Sequence, residues 1–372
     1  MIYFDNAATG FPKDRLVISA MSRAMATCGN PGRSGHKYSL SASEILYSTR
    51  EELANLFGTT PEKVVLCPSA TYALNIAIKG LFCNSGKILI SDLEHNSVIR
   101  PSFASGVVEH FAVDIDNDEK TIENFEEKIP DNVSLVVISH ASNVCGRILP
   151  IEKIATICSK YEIPIILDAS QTAGYLNFNF NKMPIDIVCI PGHKGFYGPM
   201  GTGALIINPN KNLSFKTIIQ GGTGILSTET EMPTELPERL EVGTIGVQNF
   251  AGLTVALKMC KINNIENNEN LLFLIEELNK IHTVKIYGFS ESNKEKYLPI
   301  ILFNCTDIAS HTLSDLLSQK NICVRSGFHC APMAHQKFHT GRYGAVRISL
   351  GKRNTLNECE KFIRVIKEIV KK

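Results

Sequence analysis

From residue 64 onward the chain repeats one pattern: a short apolar run that ends on polar or ionisable residues, followed by a longer connecting stretch. The runs are Val64–Pro68, Lys87–Ile90, Val107–Val113, Leu135–His140, Pro164–Gln171 and Ile185–Ile190. Short apolar runs rich in Val and Ile and bounded by Gly, Pro, Ser or Asn read as buried strands. Strands alternating with helices predict an α/β fold, a largely parallel sheet covered by helices on both faces. In such sheets ligands bind beyond the carboxyl ends of the strands. His95, Asn143, Asp168, Gln171, His193 and Lys194 all fall just past predicted strand ends, which places chemistry-bearing side chains along one edge of the sheet.

With 372 residues, 44% apolar and 20% charged, the composition is that of a globular protein with ample core. A formal net charge of +1 gives no electrostatic reason to expect nucleic acid or an anionic membrane as partner. No apolar run is long enough to cross a bilayer. The segment Met1–Thr9 has neither a basic region nor an apolar signal core, so export is not expected. The eleven cysteines are irregularly spaced without a Cys-x-x-Cys pair. Cys67, Cys83, Cys145, Cys158 and Cys189 lie in or beside apolar runs, where a thiol packs as a small hydrophobe. A reducing, cytoplasmic setting is the expectation.

Residues 1–12 read as an extended arm, and the spacing of Leu16, Val17, Ala20, Met21, Ala24 and Met25 predicts a helix. The Gly-rich loop 29–36 lacks dinucleotide-fingerprint spacing, and Gly80–Lys87 lacks that of a phosphate loop. A helix from about Ser41 to Phe57 closes at Gly58. Ser69-Ala70-Thr71 caps a further helix after a strand, an arrangement that suits either a phosphate site or an ordinary N-cap. Helix 246–259 precedes the polar segment 263–270, where a domain boundary is expected. The expected division is an arm (1–12), a large domain (13–262) and a small C-terminal domain (263–372).

Within this frame the stretch Ile185–Gly203 stands out. A buried run stops at Pro191-Gly192 and delivers His193 and Lys194 into a Gly-rich turn. Desolvation there would lower the lysine pKa, and an uncharged amine forms a Schiff base with a carbonyl; a surface lysine in a turn is the alternative. A Schiff-base lysine implies a carbonyl cofactor, and pyridoxal 5'-phosphate makes four demands on a protein. Lys194 would supply the amine and Asp168 a carboxylate for the pyridine nitrogen. Thr71 at a helix N-terminus, with His193, would hold the phosphate, and His95 would stack on the ring. Singly, Asp168 could be a helix cap, His95 a surface histidine and Asn143 a turn former.

The ordered set of motifs resembles the cysteine desulfurases, fold-type I pyridoxal-phosphate enzymes of the class V aminotransferase family. It runs from Tyr3-Phe-Asp-Asn-Ala-Ala-Thr9 through Ser69-Ala-Thr71, Glu94-His95, Ser142-Asn143 and Asp168-Ala-Ser-Gln171 to Gly192-His193-Lys194. Arg239-Leu-Glu-Val-Gly-Thr244, Arg325-Ser-Gly-Phe-His-Cys330 and Val346-Arg347 complete it. The resemblance implies a large domain with a mostly parallel seven-stranded sheet and a smaller α+β C-terminal domain. It further implies Lys194 bonded to the cofactor aldehyde, Asp168 on the pyridine nitrogen, His95 over the ring and Gln171 on the ring oxygen. Ala70, Thr71 and His193 would lie at the phosphate, with Thr244 reaching it from the partner subunit of a homodimer.

By the same resemblance Arg347, with Asn143, would take the substrate carboxylate, and Cys330 would accept sulfur from L-cysteine. Arg325 and His329 would flank Cys330 as cations that favour the thiolate. A sulfur-acceptor protein and a role in sulfur mobilisation for iron–sulfur clusters are implied partners. L-Selenocysteine, or an aminotransferase or epimerase reaction with a structural Cys330, are the alternatives, together with a cofactor-free sulfur-relay protein. Three departures from the family pattern are present: Pro191 and Ala70 remove hydroxyls from the phosphate cup, and Ile245-Gly246 replaces Pro-Asn. The helical spacing of His335 and His339 near Cys330 would also suit zinc, although the resemblance already accounts for Cys330 and no metal is expected.

Overall fold

The computed structural model describes residues 1–32, 34–82, 85–130, 132–262 and 269–371. In chain order the strands are β1 (Ile2–Tyr3), β2 (Val64–Cys67), β3 (Lys87–Ser91), β4 (Val107–Phe111), β5 (Val133–Ser139), β6 (Ile165–Asp168) and β7 (Ile187–Pro191). β8 (Gly203–Ile207), β9 (Val284–Tyr287), β10 (Ile300–Cys305), β11 (Ile322–Cys323), β12 (Arg325–Gly327) and β13 (Ala345–Ser349) follow. Seven of them form one sheet in the order β2-β8-β7-β6-β5-β3-β4. From β4 to β7 neighbours run parallel, because helices Asn96–Ser105, Asp118–Glu126 and Ile151–Lys160 carry the chain back across the sheet between strands. A short Gly-rich turn joins β7 to β8, so β8 returns antiparallel and pairs antiparallel with β2 as well.

The strands are apolar throughout because both faces are covered. Ile165 and Leu167 of β6 pack into one core, and Ile166 between them packs into the other. Helix Ile151–Lys160 turns Ile151, Ile154, Ala155 and Cys158 inward, the three-to-four-residue spacing of one helical face. Helix Lys37–Phe57 ends at Gly58 in the left-handed conformation, as the sequence predicts, but it begins four residues early. His36 Nδ1 accepts from Ser39 N–H and caps the first turn.

Beyond residue 268 an antiparallel sheet in the order β12-β13-β10-β9 packs against helices Glu269–Asn279, Ser310–Gln319 and Leu356–Val370. β1 crosses to this part of the molecule, pairing parallel with β11 through Ile2 and Ile322, and Ile2 and Phe4 are buried in its core. Residues 263–268, at which the sequence places the domain boundary, and Cys83 lie outside the described residues. Among the described residues no helix is long and apolar enough to cross a membrane.

Candidate active site

A cavity with about 500 Å³ of empty space opens beyond the carboxyl ends of β5, β6 and β7. It gathers Ala70, Thr71, His95, Asn143, Asp168, Gln171, His193 and Lys194 on one wall-to-wall surface. Lys194 extends from the turn after β7, and burial pushes its pKa down to about 8. Asp168 opposes that shift, while the positive charges of Arg347 and Arg325 add to it. Asp168 itself is buried at the end of β6, where burial raises its pKa and the Ser170 N–H, 2.9 Å from Oδ1, counters the rise.

Two glycines allow the loop after β6 to meet the turn after β7. Gly174 has φ +89°, and a Cβ at Gly195 would collide with the carbonyl oxygen of Ala173. At the phosphate end, Ser69 accepts from Tyr72 N–H and caps helix Ala70–Leu81. Ala70 and Thr71, the first residues of that helix, line the cavity. Pro191 lines the cavity without a hydroxyl, as its sequence position predicts.

The N-terminal arm contributes groups that sequence reasoning missed. Gly10 N–H (2.9 Å) and Lys13 Nζ (2.8 Å) both donate to the carbonyl oxygen of His193. The Thr9 hydroxyl also lies 3.1 Å from both that carbonyl oxygen and His193 Nδ1. Burial, with Lys194 and Lys13 nearby, keeps the His193 ring neutral with a pKa near 4. Only tertiary packing brings Thr9 and Lys13 here, and no local motif signals it.

His95 caps helix Asn96–Ser105: its Nδ1 accepts from Ser97 N–H at 3.0 Å, and burial lowers its pKa to about 4. A neutral ring with an accepting Nδ1 carries its proton on Nε2. The preceding residue, Glu94, is fully buried and accepts from Ser91 Oγ, Ser139 Oγ and Ser139 N–H. It ties the ends of β3 and β5 together, and burial raises its pKa to about 7. Gln171 Nε2 donates to the Ala7 carbonyl at 3.2 Å. The buried Oδ1 of Asn143 makes no hydrogen bond.

Four predicted site residues stand outside the cavity lining. Arg347, buried on β13, donates to the Asn143 carbonyl (3.0 Å) and to Asp5 Oδ1 (2.8 Å), leaving Nε without a partner. Its guanidinium is thus already held by a carboxylate of the arm. Thr244 is exposed and borders a different cavity, with Asn30, Pro31 and Gly32. Arg325, on β12, and Cys330, on the loop after it, lie together: Cys330 is exposed, and Arg325 Nη2 is 3.9 Å from its Sγ. The cysteine loop docks on the site through Asn96 N–H, which donates to the Cys330 carbonyl (2.6 Å), and Asn143 Nδ2, which donates to the His329 carbonyl (2.8 Å).

Two expectations for this loop need correction. His329 is not a cation beside the thiol; burial, then Arg347, drives its pKa to about 2, so the ring is neutral and Arg325 supplies the positive charge at Sγ. His335 and His339 do not share a helical face, because helix Pro332–Lys337 has ended and His339 has φ +50°. Both ring nitrogens of His335 are engaged, with His329 and Thr340.

The aminotransferase class-V family model matches residues 2–362. The chain belongs to this family. A probable cysteine desulfurase from Xylella fastidiosa (strain Temecula1) is 30% identical, the alignment covering all of this chain and 91% of that protein. A probable cysteine desulfurase from Pyrococcus abyssi is 29% identical over all of this chain and 94% of that one. Among solved structures, the apo cysteine desulfurase of Thermococcus onnurineus NA1 superposes with a TM-score of 0.90 at 27% identity, covering all of this chain and 94% of that one. These class V likenesses extend end to end, and the family has the fold-type I architecture that the seven-stranded sheet displays.

Proposed function

We propose that this class V protein is a pyridoxal-phosphate-dependent cysteine desulfurase, converting L-cysteine to L-alanine and leaving the sulfur as a persulfide on Cys330. The observation that carries the reading is that an amine with a pKa near 8, Lys194, lines the cavity, while the loop bearing the exposed thiol of Cys330 is hydrogen-bonded to Asn143 of the cavity wall and to Asn96 beside His95. The donor set fits pyridoxal 5'-phosphate. Lys194 would hold its aldehyde carbon, Asp168 its pyridine nitrogen and Gln171 its ring oxygen, with His95 against its face. The helix N-terminus at Ala70 and Thr71 and the ring of His193 would hold its phosphate. The unpartnered Oδ1 of Asn143 is a further acceptor waiting in the wall. When bound, this group withdraws electrons from the substrate's Cα and so weakens the neighbouring bonds.

Each remaining task falls to a side chain of this chain. Lys194 moves the proton at Cα, and its lowered pKa lets it act near neutral pH. Arg347 and Asn143 take the substrate carboxylate, with Arg347 exchanging the Asp5 carboxylate for it. The Cys330 thiolate, facing Arg325, attacks the substrate sulfur; the carbon–sulfur bond breaks, alanine departs and the sulfur remains on Cys330. We read residues 13–262 as the cofactor-holding unit and 263–372 as the unit that presents Cys330. Thr244 completes the partner's site in a homodimer, and a cytoplasmic acceptor protein takes the sulfur.

Cys330→Ser should retain the yellow cofactor band while alanine release and persulfide disappear; full activity in that variant refutes the role. Borohydride treatment of the loaded protein should fix the coenzyme on Lys194, and its failure to do so refutes the cofactor assignment. Rates on cysteine against selenocysteine separate desulfurase from selenocysteine lyase.

A further inference from the structure

The turn that carries the thiol is held in an unfavourable backbone. His329 (φ +49°) and Cys330 (φ +56°) are consecutive non-glycine residues in the left-handed region, a conformation that side chains with a Cβ adopt only when their surroundings enforce it. The carbonyls of both residues are pinned from the cavity side by Asn143 and Asn96. From the other side the His329 ring is pinned by a chain of hydrogen bonds that the desulfurase reading does not use.

His329 Nε2 lies 3.2 Å from the Arg325 carbonyl, His329 Nδ1 lies 3.1 Å from His335 Nε2, and His335 Nδ1 lies 2.8 Å from Thr340 Oγ1. The two rings stack with centroids 5.3 Å apart and planes 18° from parallel, and all three side chains are buried. One end of the chain fixes every proton in it. A carbonyl only accepts, so His329 Nε2 carries the proton; in a neutral ring Nδ1 is then bare and must accept from His335 Nε2–H. His335 Nδ1 is bare in turn and accepts the Thr340 hydroxyl. Burial holds both rings neutral, with pKa values near 2 and 4.

We propose that His335, oriented by Thr340, is a positioning residue for the Cys330 thiol: its Nε2–H locks the His329 ring, and through that ring the left-handed turn on which Sγ is presented. This rests on the desulfurase reading. His335→Leu removes the donor while filling the space, and His335→Gln places an amide N–H near the position of Nε2. In His335→Leu, kcat for alanine formation should fall roughly tenfold to a hundredfold, the loss that thiol misplacement of about an ångström brings. KM for cysteine should stay within about twofold and the cofactor band should be unchanged, since the carboxylate and cofactor contacts are untouched. His335→Gln should recover most of the loss. Thr340→Val, which leaves both rings in place, should show the same split more weakly and covers the case of a His335→Leu protein that does not fold. A wild-type kcat in His335→Leu or Thr340→Val, a matching rise in KM, or a glutamine variant no better than leucine would overturn the proposal. A wild-type protein that releases no alanine from cysteine would instead sink the desulfurase reading itself.

Discussion

At the scale of single residues, the chemistry is set by which groups the fold dries out. Lys194 is held near 8 chiefly by burial, and the carboxylates of Asp168 and, more weakly, Asp5 work against that trend. An amine attacks an aldehyde only when unprotonated. The rate at which cofactor-free protein captures pyridoxal 5'-phosphate should therefore rise with pH through about 8 and level off above it. Stopped-flow absorbance against pH measures this; a profile still climbing steeply toward 10.5, the ordinary lysine value, would show that the amine is not perturbed. Asp5 poses a related question of exchange. Its carboxylate sits on Arg347 at 2.8 Å, so in the proposed role a substrate carboxylate would meet a guanidinium that is oriented and already paired, not one free in solvent.

At the scale of elements, the site depends on two loops that touch without side chains between them. Gly195→Ala would drive a methyl group into the Ala173 carbonyl. A cost of about 1–3 kcal/mol, as for overpacking elsewhere, is expected, read as a lower melting temperature together with weaker cofactor retention. The elements themselves were largely legible from sequence, because apolar runs such as Ile165–Asp168 are buried along their whole length and leave a strong local signal. Strand ends then located His95, Asn143, Asp168 and Lys194 correctly around one cavity. What local pattern could not reveal was contact across the chain. Thr9 and Lys13 reach His193, Asp5 reaches Arg347, and His335 reaches His329 only after folding. The expected charge on His329 failed for the same reason: burial, which decides its protonation, is a property of the packed loop. The early start of helix Lys37–Phe57 escaped because histidine is not among the usual capping residues.

For the whole molecule, buried histidines dominate the response to acid. His95, His140, His193 and His335 are pressed from an ordinary 6.5 to about 4, and His329 to about 2, in each case mainly by burial. Between 6.5 and 4 the unfolded chain binds protons at these sites that the folded chain does not, so stability is lost as pH falls through that window. Glu94, raised from 4.5 to about 7, works the other way, as do Asp168 and Glu241, which burial also raises, but the five rings outnumber them. The melting temperature should decline steadily from pH 6.5 toward 4; a flat or rising profile across that range would contradict the burial of these rings as neutral groups.

The pairing of Ile2 with Ile322 has a consequence for how the molecule is made. The residues that steady His193 and Arg347 leave the ribosome long before the strand that fixes their place. A nascent chain can thus assemble the central sheet and still lack a finished reaction chamber. Catalytic competence arrives in one late step, when a segment made early closes onto a strand made far later.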